Sequence, residues 1–140
     1  MAPLLSCGGK APGTLGGTGR SLSPCPASPN CVSSDAADNA HQVPPLVLAV
    51  SPEKAWPALR MAVSSLPRTT IVDDSGQYLH AECRSAVFRF VDDLELHLRP
   101  DEGAIAVRSA SRLGYSDFGV NRGRVETLRR KLVSAGVVKP

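Results

Sequence analysis

The stretch that decides the fold is Val87–Arg112: Val-Phe-Arg-Phe-Val-Asp-Asp-Leu-Glu-Leu-His-Leu-Arg-Pro-Asp-Glu-Gly-Ala-Ile-Ala-Val-Arg-Ser-Ala-Ser-Arg. Phe88, Phe90, Leu94, Leu96 and Leu98 share one parity, and Arg89, Asp93, Glu95, His97 and Arg99 the other. Successive strand side chains point to opposite faces, so this pattern predicts a half-buried strand over Val87–Arg99. Pro100-Asp101-Glu102-Gly103 is a turn, and Ala104–Arg112 is the returning strand, with Ile105 and Val107 inward and Arg108 and Arg112 outward. Counting back from the turn pairs Leu98 with Ile105, Glu95 with Arg108 and Asp92 with Ser111. A turn at Arg84–Val87 would set Glu82 opposite Arg89.

Working outward, Thr69–Asp73 and Tyr78–Arg84 flank Ser75-Gly76, a hairpin signal. Leu79, Ala81 and Cys83 continue the apolar face, and His80, Glu82 and Arg84 the polar one, as in an antiparallel sheet wet on one side. Ser51-Pro52-Glu53 opens a helix with Trp56, Leu59, Val63 and Leu66 on one stripe. A last helix follows Ser116 or Asp117, with Phe118, Val125, Leu128 and Leu132 on its stripe and Gly136 ending it. A short strand is expected at 44–50. The predicted class is α+β: a four- to five-stranded antiparallel sheet with two helices on one face.

Residues 1–44 hold 12 of the chain's 24 Gly and Pro residues in 44 of its 140 positions. The expected organisation is a flexible, irregular segment over 1–43 and one α+β domain over 44–140. No apolar run is long enough for a transmembrane helix. Aromatics make up 4 % of the chain, too few for stacking platforms, so no nucleic-acid partner is expected. The net charge of +3 is uneven, and residues 119–140 alone carry +5. The favoured reading of that excess is a solvated helix whose cations complement its C-terminal end.

Cys25 and Cys31 bracket Pro-Ala-Ser-Pro-Asn. A disulfide-closed ring is the favoured reading, with free thiols or metal ligation as alternatives. No metal and no cofactor are expected overall. Cys83 reads as a small core residue. Leu4-Leu5-Ser6-Cys7-Gly8 has the shape of a lipobox with Cys7 as the lipid anchor, although the apolar segment before it is short.

Asp92 falls on the apolar side, where an unpaired carboxylate is costly. A bulge at Asp92-Asp93 turning both acids outward is the favoured reading. The alternative is a polar pocket of Asp92, Ser109 and Ser111, the weak candidates for catalysis. On the polar face a solvated surface is expected. Against it stands an anion site formed by Arg84, Arg108, Arg112 and Arg122 converging near the last helix, with Ser116 and Asn121 beside them. Arg108, Arg112 and Asp117 are expected to hold that helix against the sheet, Asp117 capping it and an arginine on the strand end such as Arg112 neutralising Asp117. The Gly-x-Ser-x-Gly, phosphate-loop and His-Glu-x-x-His motifs are absent.

Three segments together are distinctive: Pro24–Ser34; His80-Ala81-Glu82 with Arg84-Ser85 and Phe90-Val91-Asp92-Asp93; and Val107–Arg122. In them the chain resembles the domain of unknown function 1499 family over about residues 22–132. The resemblance implies a small bacterial envelope protein or lipoprotein with no established reaction. The expected function is therefore non-enzymatic binding of a small anionic ligand or an envelope protein partner through the Arg/Ser-rich motif, with the membrane reached by a lipid anchor at most. The alternative is a hydrolase or isomerase using Asp92 and its serines.

Overall fold

The computed structural model describes residues 9–16 and 21–140. Six antiparallel strands form one sheet, numbered here in chain order: β1 (Cys31–Ser33), β2 (Leu46–Val47), β3 (Thr69–Asp74), β4 (Tyr78–Arg84), β5 (Val91–Arg99) and β6 (Ala104–Ser111). The order across the sheet is β1-β6-β5-β4-β3, and β2 pairs the other half of the β6 edge. Helices α1 (Pro52–Ser64) and α2 (Val120–Ser134) complete an α+β fold. Trp56, Leu59 and Val63 of α1 and Val125, Leu128 and Leu132 of α2 share a core with Leu79, Leu94, Leu96, Ile105 and Val107. Asp74 fastens the edge strand β3 to α1, accepting from Trp56 Nε1 at 2.9 Å and Arg60 Nε at 2.5 Å.

The β5–β6 register follows the turn: Leu98 faces Ile105, Glu95 faces Arg108 and Asp92 faces Ser111. No bulge interrupts Asp92-Asp93; the register shift of this sheet lies between Ile71 and Asp73 of β3. The β4–β5 pairing departs from expectation. Glu82 faces Asp93, not Arg89, because residues 85–90 form a loop rather than a tight turn. Its ends are joined by Ser85 N–H donating to the Phe90 carbonyl and Phe90 N–H to Ser85 Oγ, each at 2.9 Å. Arg89 inside it has φ +55°. Phe88 and Phe90, expected in the core, are consequently 66 % and 45 % exposed. Phe118 also leaves its expected stripe: it precedes α2 and is 96 % exposed.

The boundary expected between residues 43 and 44 moves toward the N-terminus. Leu22, Cys31, Val32 and Val43 are buried. The edge of β6 would otherwise present unpaired amides and carbonyls, and residues 30–34 cap them. Ser111 N–H donates to Asn30 O at 2.9 Å, and Ser34 N–H to Val107 O at 2.8 Å. A disulfide joins Cys25 and Cys31 with Cα atoms 5.7 Å apart. The lipobox and the Cys7 anchor lie outside the described residues.

The face expected to be wet is covered too. Glu95, Asp93, His80 and Arg108 are all less than a tenth exposed. Gly16 N–H donates to Glu95 Oε2 at 2.8 Å, and Arg108 Nη2 donates to the Pro24 carbonyl at 3.3 Å. Gly- and Pro-rich chain serves this purpose well, since it lies close to a sheet without needing a ladder of its own. Two cations of α2 are likewise engaged: Arg122 donates to the Ala40 and Gln42 carbonyls, and Arg129 to those of Pro44 and Pro45.

Candidate functional site

At the α2 end of the sheet, where β5 begins and β6 ends, a cavity of about 550 Å³ opens between the 85–90 loop, the 111–118 connection and the start of α2. Its lining includes Arg68, Arg84, Phe90, Asp92, Ser111, Leu113, Ser116, Phe118 and Arg124. A smaller hollow of about 260 Å³ adjoins it, and Arg68, Arg84, Val120 and Arg124 line both. Cavities of this size accommodate small molecules.

The cavity is anchored from below. Asp92 is buried and accepts from Arg124 Nη2 at 2.8 Å. The same guanidinium donates through Nη1 to Asn121 Oδ1 at 2.8 Å and Ser109 Oγ at 3.1 Å. Ser109 Oγ donates to Asn121 Oδ1 at 2.7 Å, and Asn121 Nδ2 donates to Ser111 Oγ at 2.9 Å. The inward acid that sequence left without a partner is thus paired, which removes the desolvation problem. Asn121 Nδ2 also donates to Asp117 Oδ2 at 2.8 Å, and Asp117 accepts from the N–H groups of Gly119 and Asn121. Burial pushes the Asp117 carboxyl up, but these hydrogen bonds outweigh it and leave it below the ordinary carboxylate range. Asp117 therefore caps α2 as expected.

Arg112 does not neutralise it. Arg112 turns to the opposite face, donating through Nε to Asp93 Oδ2 and through Nη2 to Asp93 Oδ1, both at 2.8 Å, and pairing with Glu82. His80 Nε2 lies 2.6 Å from Asp93 Oδ1. Hydrogen bonds to Asp93 raise the Arg112 guanidinium further above its ordinary value. Burial pushes Asp93 up, yet Arg112 and His80 hold it below the usual range.

The expected arginine cluster therefore divides. Arg84 and Ser116 line the cavity. Arg108 and Arg112 are spent beneath the N-terminal segment, and Arg122 staples the loop around Ala40. Ser109 and Asn121 lie beneath the cavity, wholly buried. In place of the missing arginines stand Arg68 and Arg124, which sequence reasoning passed over. Arg124 had a legible signal, lying one helical turn from Asn121 on the face of α2 that meets the sheet. Arg68 had none: it ends the α1–β3 link with φ +50° and enters through tertiary folding. Asn30 was also missed. It donates to the Gly114 carbonyl at 2.8 Å while its own carbonyl accepts from Ser111, so the disulfide ring next to it supports the cavity wall.

Two features set this end apart. Among the described residues, three non-glycine residues have positive φ: Arg68, Arg89 and Phe118. Two line the cavity and the third lies in the loop bounding it; such strain persists where surrounding structure imposes it and clusters at functional sites. In addition, Phe88, Phe90, Leu113, Tyr115, Phe118 and Val120 are large apolar or aromatic residues, each at least 45 % exposed. Phe88 and Phe90 have ring centroids 5.6 Å apart.

The model of the protein family of unknown function DUF1499 matches residues 21–132. The chain belongs to the DUF1499 family. No curated protein matches the chain. The DUF1499 match begins at residue 21, so the Cys25–Cys31 ring and β1 belong to the family unit. Nothing in the family description assigns chemistry, and the cavity has to be judged on its own groups. Among the described residues no group of three or more His, Cys, Asp or Glu side chains is placed to hold a metal ion. Cys83 is buried under the sheet and burial pushes its thiol up, away from the reactive thiolate. The arrangement offers guanidinium donors for an anion and an apolar wall beside them.

Proposed function

We propose that this DUF1499 protein is a non-enzymatic binder of small organic anions, held in the cavity between the 85–90 loop and α2. The observation that carries the reading is Arg68. It lines the cavity and, among the described residues, pairs with no carboxylate. Arg84 beside it is only partly engaged, its guanidinium 3.3 Å from Glu82. Arg68 Nε donates to the Arg84 carbonyl at 2.9 Å, which leaves the terminal N–H groups of the guanidinium beside apolar walls for a carboxylate or phosphate.

The location that goes with this reading is the bacterial envelope. The Cys25–Cys31 bridge supports it, since disulfides persist in oxidising compartments. Attachment to the membrane would rest on Cys7.

The second reading, a hydrolase or isomerase, draws on Asp92, which is buried at the cavity floor. Against it, the Asp92 carboxylate is already bonded to Arg124, and Ser109 gives its hydroxyl to Asn121. Among the described residues neither Ser109 nor Ser111 hydrogen-bonds a carboxylate or an imidazole, the base that nucleophilic catalysis requires.

Thermal denaturation of the full chain against a panel of alkyl carboxylates and alkyl phosphates tests the binding reading, because a ligand specific to the folded state raises stability. Stabilisation by at least one series, lost in Arg68→Gln and retained in Arg122→Gln, is the expected result. A panel without effect refutes it. Ester turnover by the wild type that disappears in Asp92→Asn would install the enzymatic reading instead.

A further inference from the structure

The apolar side of the cavity says more about the ligand than its charge does. Arg68, Arg84, Val120 and Arg124 line both hollows, so the cationic groups stand where the two adjoin. The larger hollow is also walled by Ala86, Phe90, Leu113 and Phe118. A fully hydrated inorganic anion has no use for such walls. Arg68 Nε donates to the Arg84 carbonyl at 2.9 Å, and its two terminal nitrogens, which meet no carboxylate among the described residues, call for an anionic head that a neutral apolar molecule does not supply. Only a molecule with both characters satisfies the two halves together.

Building on the anion-binding reading, we infer that the cavity takes a single-chain amphiphile, its carboxylate or phosphate head at Arg68 and Arg84 and its alkyl chain in the larger hollow. Arg124 serves as a positioning residue, since Asp92 and Asn121 already hold it. The 85–90 loop is the side through which a chain enters. It carries Phe88 and Phe90, its ends meet only through Ser85 and Phe90, and Arg89 within it is held at positive φ. Exposed Phe88 and Phe118 then cover the part of the chain that the hollow leaves outside.

Calorimetric titration of the oxidised full chain with inorganic phosphate and with butyl, hexyl, octyl and decyl phosphate, each below its micelle concentration, tests this. The expected result is an affinity rising with chain length by up to about fourfold per added methylene until the hollow is filled. Decanol should bind at least tenfold more weakly than decyl phosphate. Arg68→Gln, an exposed position whose substitution leaves the core intact, should erase the difference between the two. Phe90→Ser should flatten the chain-length dependence while sparing butyl phosphate. Equal affinity for inorganic, butyl and decyl phosphate would overturn the amphiphile while leaving anion binding standing. Decanol binding as tightly as decyl phosphate, or no binding by any member, would overturn both. Capture on vesicles containing anionic lipid, without binding of the monomeric amphiphiles, would also overturn it and mark the exposed aromatics as a membrane-facing surface.

Discussion

On the sheet face covered by residues 9–16 and 21–35, Arg112 meets two carboxylates, Asp93 meets Arg112 and His80, and hardly any of these atoms touch water. At the cavity end of the same sheet, Arg68 meets no carboxylate among the described residues and large apolar side chains stand in solvent. Both regions are rich in arginine and both lie beside the core, yet one is closed and the other open. Glu82 joins them, pairing with Arg112 on the closed side and Arg84 on the open one. Where each buried acid has a cation or hydrogen-bond donor beside it, the side chains hold the fold. Where a guanidinium meets a backbone carbonyl but no carboxylate, next to an apolar hollow, the surface stays open, and the function proposed above puts a ligand there. The comparison can be broken by substitutions that should matter on one side and not on the other.

Arg112→Ala should have the largest effect. It strands Asp93 beneath the N-terminal segment, and removing one partner of a buried ion pair costs roughly 3 kcal/mol or more. Urea denaturation reads this directly, and an unchanged midpoint would show that the closed face is wetter than its contacts imply. Carboxylates in both regions, Asp35 on Arg99 among them, set an acid limit. Asp93, Asp35 and Asp117 all have folded-state values below the ordinary one, so their contribution is complete above the unfolded carboxylate value, about pH 4. It is lost as pH falls through the lower folded values. Melting temperature should therefore decline below about pH 4, and the decline should be shallower in Arg112→Ala.

Opening the Cys25–Cys31 ring by Cys25→Ser with Cys31→Ser should cost about 2 kcal/mol, the chain-entropy value for so short a loop. It should also loosen the cavity wall that Asn30 supports, read as faster amide exchange at Ser111, whose N–H donates to Asn30 O. Asp117→Ala removes a cap and should cost about 1 kcal/mol in the same urea assay.

The smallest effect has the opposite sign. Phe118 holds φ +54° while its side chain is almost wholly exposed. Phe118→Gly relieves the backbone without removing packing and should raise stability by up to about 1 kcal/mol. A loss of stability there would mean that the open end is structural after all.

Much of this architecture was legible in the alternation from Tyr78 to Arg112 and in the Trp56-to-Leu66 stripe. A period of two or of 3.6 is a local property, and burial of one face follows from it. The β5–β6 register was equally legible, because a short turn fixes it. The β4–β5 register was not. Two phenylalanines continued the strand pattern into a six-residue loop, and alternation alone does not say where a strand stops. Asp92 and Asp117 could be singled out as acids requiring partners, but Arg124 could not be assigned to Asp92, since that pairing spans 32 positions and depends on how α2 lies across the sheet. The same holds for the second face of the sheet. Its charges were read from sequence, whereas their burial was decided by a Gly/Pro-rich segment with no periodicity of its own. Composition can show that such a segment builds little regular structure. Whether it packs depends on the unpaired edge of β6 and the acceptors of β5, and those exist only once the sheet has formed.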